Sequence, residues 1–396
     1  MTLVESSPDD KIIDFEVFKH YMAILQEKNY IRQLKVINLK TQRESIHLFD
    51  SPQEVNPADD QNQVCDFFDV ELEDNNTFDA VTLKYRLSTP NTPQRVFNFN
   101  MGTKKADQIF FEQYKNLTKP QNIQCEKINV TMRDGFEVPL VMSYDKTYFN
   151  EKSPWIMFTK GAISQKSDLQ FDNNKISLMN RGMCLCYPLV RGTKYFDDGW
   201  YHSGIGEKKL THVMDFIDSA IYLKEKGLAQ KIGVLGIQES GSITALASAF
   251  SEPLLFDCTV AHNPVTDLIQ HLFHDIEQRN TIQSAQEFEE AHFRKLQEFG
   301  DIQNKDFYEA LQLISPYHIP YKGGNLSLQT DLLITQDESY LHSYHGRKLM
   351  CKLRDVMSKD KKLGFVFYKE FPEKMFTEEE KSALQYSFII NSLLFR

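Results

Sequence analysis

From Gln124 onward the chain alternates between short apolar runs and longer stretches with helical periodicity. The apolar runs are Trp155–Thr159, Cys184–Val190, Lys231–Gly236, Cys258–His262 and Asp331–Thr335. The helical stretches between and after them include His212–Gly227 and Ser242–Phe250. A last helix is expected to begin at Thr377, which has capping-box spacing to Glu380. Because a helix carries the chain from one strand to the next, the strands run mostly parallel. The sequence therefore predicts an α/β domain over residues 125–396.

Residues 1–124 follow a different pattern. Short β-rich runs are separated by turns that contain Pro, Gly, Asn or Asp, and no helical period appears. These runs are Arg32–Leu39, Ser45–Phe49, Val64–Leu72, Ala80–Leu87 and Arg95–Asn100. At about four strands per 40–50 residues, the segment has room for two to three propeller-type blades. We therefore predict an all-β domain over residues 1–124.

Composition excludes several classes of protein. With 41% hydrophobic and 25% charged residues the chain is globular, and 45 basic against 55 acidic residues give a net charge of −10. This balance argues against binding to a nucleic-acid backbone. No run approaches the roughly 18 apolar residues of a membrane span, and the acidic start has neither a secretory nor a transit pattern. Six cysteines without a repeated spacing fit a reducing compartment, so the expected location is the cytoplasm. No pattern indicates a cofactor or a metal site.

Several segments together resemble the prolyl oligopeptidase family of serine peptidases, and oligopeptidase B most. The matching segments, in the family's order, are Asn76–Met101, Ile128–Lys146, Phe256–Leu268 and Asp331–Arg354. The resemblance implies an α/β-hydrolase fold, with a mostly parallel sheet between helices, preceded by part of a β-propeller. Family members carry a complete propeller, whereas only residues 1–124 precede the hydrolase domain here. Blades that cannot close leave an open edge, which predicts a protein partner bound through residues 1–124.

The family's nucleophile lies in a Gly-x-Ser-x-Gly elbow that follows a strand of the sheet. The matching residues are Gly236-Ile-Gln-Glu-Ser-Gly241, so Gln238 occupies the nucleophile position. A carboxamide is not a usable nucleophile, because its nitrogen lone pair is delocalised. Ser240 is the fallback nucleophile, although Gln238 and Ser242 stand where its flanking glycines would be. We expect no catalytic nucleophile at this elbow.

The other catalytic positions are also altered. By resemblance, the acid is Asp337 or Glu338, and the base is a histidine that follows it near the last helix. No histidine lies between Gly346 and Arg396. The family's oxyanion tyrosine corresponds to Met157, whose thioether cannot donate a hydrogen bond.

The sequence therefore predicts a catalytically inactive, oligopeptidase B-like pseudoenzyme that serves as a structural or scaffolding subunit of a larger assembly. Two alternatives stay open. The first is a residual serine endopeptidase for basic peptides, in which the acidic run at residues 286–290 would bind the basic side chain of the substrate. The second is a sensor that binds a peptide or metabolite in the cleft that forms the active site in peptidases of this family.

Overall fold

The computed structural model describes residues 10–28, 31–49, 69–89, 93–111, 123–160, 169, 171–196, 198–281, 293, 295–319, 330–339, 344–357 and 364–396. The chain divides into two compact units. The first unit comprises Met1–Lys127, Asp145–Thr147 and Leu169–Ser177, and the second comprises Ile128–Tyr144, Tyr148–Asp168 and Leu178–Arg396.

The first unit holds two four-stranded antiparallel sheets, each in sequential strand order. The first sheet consists of β1 (Asp10–Val17), β2 (Tyr21–Lys28), β3 (Ile31–Asn38) and β4 (Glu44–Leu48). The second consists of β5 (Asp69–Leu72), β6 (Thr82–Ser88), β7 (Arg95–Asn100) and β8 (Lys105–Phe111). The predicted all-β character is confirmed. Strands β1, β2 and β8 were not predicted, and residues 64–68 of the predicted run Val64–Leu72 lie outside the described part of the chain.

Alternate side chains of the two sheets form one apolar core. Leu25 and Leu34 of the first sheet pack in the same cluster as Leu83, Phe97 and Phe99 of the second. All five are at most 4% exposed. The alternation is clearest in β7, where buried and half-buried residues follow one another. Each sheet therefore has one inner face in this core and one outer face.

The second unit is built on an eight-stranded sheet in the order β16-β15-β14-β13-β11-β12-β10-β9. Its strands are β9 (Ile123–Thr131), β10 (Glu137–Asp145), β11 (Trp155–Lys160), β12 (Cys184–Pro188), β13 (Ile232–Ile237), β14 (Cys258–His262), β15 (Asp331–Asp337) and β16 (Val366–Phe371). Strands β11 to β16 are joined by parallel pairs, while β10 runs antiparallel to β12. This is the predicted mostly parallel sheet.

Eight α-helices are described. They are α1 (Asn173–Met179), α2 (Asp198–His202), α3 (Lys209–Glu225), α4 (Gln238–Ser251), α5 (Leu268–Thr281), α6 (Lys305–Ile314), α7 (Tyr344–Met357) and α8 (Glu378–Leu394). The predicted capping box is present at Thr377 and Glu380. Within the described residues, no helix combines the length and the apolar character that crossing a membrane requires.

Burial explains why the central strands read as continuous apolar runs. Nearly every side chain in strands β11 to β14 is buried, as is typical of parallel strands that are covered on both faces. Cys184, Cys186 and Cys258 belong to this interior, where desolvation raises the pKa of Cys184 to about 12. These thiols pack as small apolar groups.

A buried ion pair fixes the loop after β12 to helix α3. The Arg191 guanidinium donates to both oxygens of Asp215, at 2.9 and 2.6 Å, and also contacts Asp134 at 2.7 Å. The side chain of Asp215 is 1% exposed. On the same helix, Nδ1 of His212 lies 2.8 Å from the carbonyl oxygen of Arg191. Because the charges of Arg191 and Asp215 are desolvated, removal of either side chain would leave the other buried without its partner.

Candidate active site

The turn between β13 and α4 has the geometry of a nucleophile elbow. Gln238 is the first residue of α4 and has a φ of +61°, while Ile237 before it is extended. Gly236 permits the sharp turn, because a Cβ at this position would lie 2.5 Å from the carbonyl oxygen of Gly241. A bulky residue in the left-handed region is strained, and such strain is typical of functional sites. The elbow therefore exists, with an exposed glutamine at its tip.

Ser240, the fallback nucleophile, lies within the first turn of α4 rather than at the tip of the elbow. It is 1% exposed, and its hydroxyl donates to the carboxylate of Glu298. The ammonium of Lys209 lies 3.3 Å from the same hydroxyl oxygen and 2.5 Å from Glu298. Because this lysine is held in a buried ion pair, it is not set up to accept the serine proton. The hydroxyl therefore belongs to a closed internal network.

The glutamate after Gln238 is also engaged. Oε1 of Glu239 lies 2.7 Å from Nε2 of His271 on α5. The ring of His271 lies 5.7 Å from that of His345 on α7. The structure thus brings together two histidines that are far apart in sequence. No group of three or more His, Cys, Asp or Glu side chains able to hold a metal ion occurs among the residues that the model describes.

Asp337 is the last residue of β15, and it lies at the carboxyl end of the parallel strands, as the elbow after β13 does. Its carboxylate accepts a hydrogen bond of 2.8 Å from the side chain of Asn263, whose own oxygen accepts from the Asp337 backbone at 2.8 Å. The ammonium of Lys381 lies 2.7 Å from the other carboxylate oxygen. Burial alone would raise the pKa of Asp337, but the hydrogen bonds from Lys381 and Asn263 outweigh it, and the pKa is lowered.

Glu338, the other candidate acid, lies outside this cluster. Its backbone N–H donates to the carbonyl oxygen of Phe371, and its carboxylate accepts from the backbone of Glu373 at 3.4 Å. Of the two carboxylates that the sequence left open, Asp337 is therefore the one with charged partners at the end of the strand.

The residue that reaches Asp337 from the last helix is Lys381 instead of a histidine. Lys381 lies in the first turns of α8, where Glu378 also contacts it at 2.7 Å. Burial would lower the pKa of Lys381, but the bonds to Asp337 and Glu378 outweigh this effect and raise it. The sequence showed that no histidine follows Asp337 near the last helix. It did not show that Lys381 is the cation that contacts Asp337.

One histidine does approach Asp337 from a neighbouring strand. Nε2 of His262, at the end of β14, lies 3.6 Å from the carboxylate. Its Nδ1 lies 3.0 Å from the hydroxyl of Thr335, which is fully buried. Desolvation lowers the pKa of His262, against the opposing charge of Asp337. A buried threonine inside the sheet cannot present its hydroxyl to a substrate.

A serine–histidine contact occurs elsewhere in the second unit. Nδ1 of His318 lies 2.9 Å from the hydroxyl of Ser315. Ser315 is fully buried, and its oxygen also accepts from the backbone of Leu268 at 3.1 Å. This pair therefore caps local backbone groups and is not an exposed nucleophile with its base.

Met157 does not lie at the level of the elbow. It is fully buried in the middle of β11, where it pairs with Cys186 and Val234. The elbow follows Ile237, which pairs with Lys160, three residues further along β11. A strand-end donor would therefore come from the residues after Lys160, and residues 161–168 lie outside the described part. The assignment of Met157 to the oxyanion position is corrected on this geometric ground.

Comparison with known proteins identifies the relatives of this chain. Residues 169–335 match the model of the prolyl oligopeptidase family. Dipeptidyl aminopeptidase BI of Pseudoxanthomonas mexicana is 21% identical over 78% of this chain and 39% of its own length. Protease 2 of Moraxella lacunata is 24% identical over 57% of this chain and 31% of its own length. The chain therefore spans well under half the length of these relatives.

Solved structures extend the likeness to the fold. Oligopeptidase B from Leishmania major superposes with a TM-score of 0.82 at 17% identity, over 99% of this chain and 53% of that one. This neighbour shows the fold, a β-propeller with an α/β-hydrolase domain, and the predicted fold class is confirmed. The resemblance to the prolyl oligopeptidase family is confirmed as well, since residues 169–335 match the model of this family and oligopeptidase B is among the structural neighbours.

Proposed function

We propose that this chain is a catalytically inactive homologue of the prolyl oligopeptidases. The observation that carries the proposal is the exposed Gln238 at the tip of a retained nucleophile elbow. An amide side chain has neither a nucleophilic oxygen nor a proton whose removal would create one. The elbow therefore presents a group that cannot form an acyl-enzyme.

The surroundings of Asp337 support the same proposal. In a serine hydrolase the acid orients a histidine, which accepts the proton of the nucleophile. Here the carboxylate is bonded to Lys381 and Asn263, and the histidine near it, His262, has its Nδ1 directed at the buried Thr335. A lysine whose pKa is raised by its ion pair stays protonated near neutral pH, so it is not a base. Residual peptidase activity through Ser240 is disfavoured, because its hydroxyl is buried and bonded to Glu298.

We propose further that the chain acts as a scaffold subunit in a protein assembly. The outer face of the first sheet supports this role. Apolar side chains on its two outermost strands are 45–58% exposed: Ile12, Phe15, Val17, Ile46 and Leu48. Phe15 is opposite Ile24, which alternates with Ala23 and Leu25 of the shared core, so Phe15 points away from that core. Partners are therefore expected to contact this face as well as the strand edges. A cytoplasmic location stays a prediction from the sequence.

The outer face of the second sheet is mixed, since Phe110, which is 52% exposed, lies in the same cross-strand row as Val96 and Arg86. Arg86 forms ion pairs with Glu71 at 3.0 Å and with Glu73 at 3.1 Å. A polar outer face suits contact with water, whereas an apolar one calls for a covering surface. The larger number of exposed apolar side chains on the first sheet supports the choice of that sheet for the proposed contact.

A second candidate function is ligand binding at the elbow. Gln238 offers both a donor and an acceptor, and it is the first residue of a 14-residue helix. Basic dipeptides that bind there would raise the melting temperature. Gln238→Ala would abolish that shift, whereas a site elsewhere would be indifferent to the substitution.

The inactivity is tested with fluorogenic peptides that carry Arg or Lys before the scissile bond. We expect no hydrolysis above buffer from the wild-type chain, and none from Ser240→Ala. Hydrolysis that is lost in Ser240→Ala would overturn the proposal. For the scaffold role, the chain is used as bait in native extract, with Phe15→Glu/Leu48→Glu as the matched control. Stable capture of partners by the wild type alone is the expected result, and equal capture by both baits contradicts the assigned face.

A further inference from the structure

The eight-stranded sheet ends in an open strand with aromatic side chains. Strand β16 lies at the end of the strand order and, among the described residues, is hydrogen-bonded only to β15. Its alternate residues face opposite sides of the sheet. Glu370 is bonded to Arg347 of α7 on one side. Phe367 lies on the other side, with its ring 6.0 Å from that of Phe388 on α8.

The aromatic side continues from strand to helix. The rings of Phe365 and Phe367 are 6.2 Å apart and nearly parallel, and the guanidinium of Arg396 lies 4.0 Å above Phe365. Leu394 and Phe395, at the end of α8, directly precede this arginine. The edge patch, as we name it, comprises Phe365, Phe367, Phe388, Leu394 and Phe395. Four of its members are 40–76% exposed: Phe365, Phe367, Leu394 and Phe395.

The exposed area of the edge patch equals that of the largest apolar patch on an ordinary protein surface, and such patches are often functional. At roughly 200 Å² for a large apolar side chain, these exposed fractions amount to about 400 Å². A stable interface buries about 800 Å² on each partner. The patch would therefore supply about half of one side, and the backbone of β16 with its polar rim would supply the rest. An unpaired strand edge beside an apolar patch is a typical site of chain association.

The order of residues along β16 favours a second copy of the same strand. In an antiparallel pair across a two-fold axis, Phe367 can be opposite Phe367 of the copy. Lys369 then meets Phe365 of the copy, twice by symmetry. No like charges are opposed, and each ammonium lies beside an aromatic ring. The chain already uses such a contact, since Lys369 lies 5.1 Å from the ring of Phe376.

We propose that two copies of this chain associate through antiparallel pairing of their β16 strands, which joins the two sheets into one of sixteen strands. The interface is isologous, so each edge patch packs against the other. This inference concerns the second unit alone, and it does not depend on the proposed inactivity.

Sedimentation of the full chain between about 1 and 100 µM tests the association. We expect a species of twice 46.2 kDa for the wild type. Phe367→Glu should weaken the dimer at least tenfold, because it buries a charge. Phe110→Glu is the matched control, since Phe110 is 52% exposed in the first unit. A monomeric wild type at the highest concentration overturns the proposal, as does a dimer unaffected by Phe367→Glu. Melting curves confirm that the variants are folded.

The register has its own test. In a Cys65→Ser/Cys351→Ser background, Phe367→Cys should form an intermolecular disulfide under mild oxidation, since the two Cα atoms are opposite each other. Phe365→Cys should not, because it is opposite Lys369. The reverse result would contradict the proposed pairing.

Discussion

The ammonium of Lys381 lies 2.7 Å from a carboxylate oxygen of Asp337. This pair stands at the carboxyl end of β15, where a hydrolase of this family would place its acid and base. The side chains of Lys381 and Asp337 are 13% and 20% exposed. The carboxylate that would orient an imidazole is thus kept, but it is neutralised by a cation that stays protonated. Under the proposed inactivity, the elbow and the acid serve the fold alone.

The ion pair is expected to stabilise the fold. Lys381→Met should lower the free energy of unfolding by about 2 kcal/mol, because it leaves a partly buried carboxylate without its cation. Chemical denaturation of Lys381→Met, Asp337→Asn and the double variant gives the coupling energy of the pair. A coupling energy of zero would show that the two charges act independently.

The left-handed backbone at Gln238 predicts a stabilising substitution. Gln238→Gly should raise the free energy of unfolding by about 1 kcal/mol, since glycine adopts a φ of +61° without steric cost. Gln238→Ala is the control, because it removes the carboxamide but keeps the strain. If both variants gain the same stability, the carboxamide and not the backbone is the source of the strain.

Restoring the hydroxyl should not restore activity. Gln238→Ser places a serine at the elbow, yet the carboxylate of Asp337 is paired with Lys381, and the nearby His262 has its Nδ1 directed at the buried hydroxyl of Thr335. We expect peptide hydrolysis at background for this variant. Hydrolysis well above the wild type would show that a base exists near the elbow.

The elbow could be predicted from the sequence, whereas the partner of Asp337 could not. Gly236, Gln238 and Gly241 are close in the chain, so their spacing after an apolar run is enough to place the turn. Lys381 meets Asp337 only because α8 packs beside β15, and nothing in the local pattern of either segment indicates that contact. The location of Met157 within its strand could not be predicted either, because the apolar run Trp155–Thr159 does not show at which residue the strand ends. Strand β1 was missed because its charged residues interrupt the β-rich pattern, and β2 because Met22, Ala23 and Leu25 are residue types that favour helices.

The buried network of α3 should be sensitive to truncation. Asp215→Ala should cost about 3–5 kcal/mol, because it leaves the Arg191 guanidinium desolvated without its main partner. Asp218→Ala is the control. Asp218 holds Arg133, whose side chain is 48% exposed, so its loss should cost about 1 kcal/mol or less. Equal losses in thermal or chemical unfolding would contradict the buried role of Asp215.

Acid should weaken the fold through His212. Burial, and secondarily the charge of Lys209, holds the pKa of His212 well below its usual value. The unfolded chain therefore takes up a proton that the folded chain refuses, and stability falls as the pH drops below about 6.5. We expect a lower melting temperature at pH 5.5 than at pH 7.5, and a smaller difference in His212→Asn. If the melting temperature differs between the two pH values by the same amount in the wild type and in His212→Asn, groups other than His212 cause the acid sensitivity.

The central claim, that this elbow carries no nucleophile, is tested most directly by the intact mass of the chain after incubation with a fluorophosphonate. Such reagents form a stable adduct with an activated serine and with little else. We predict an unmodified mass at neutral pH for the wild-type chain, under conditions that fully label an active serine hydrolase. A stoichiometric adduct, mapped by peptide sequencing to Ser240 or to any other serine of the second unit, would contradict the account.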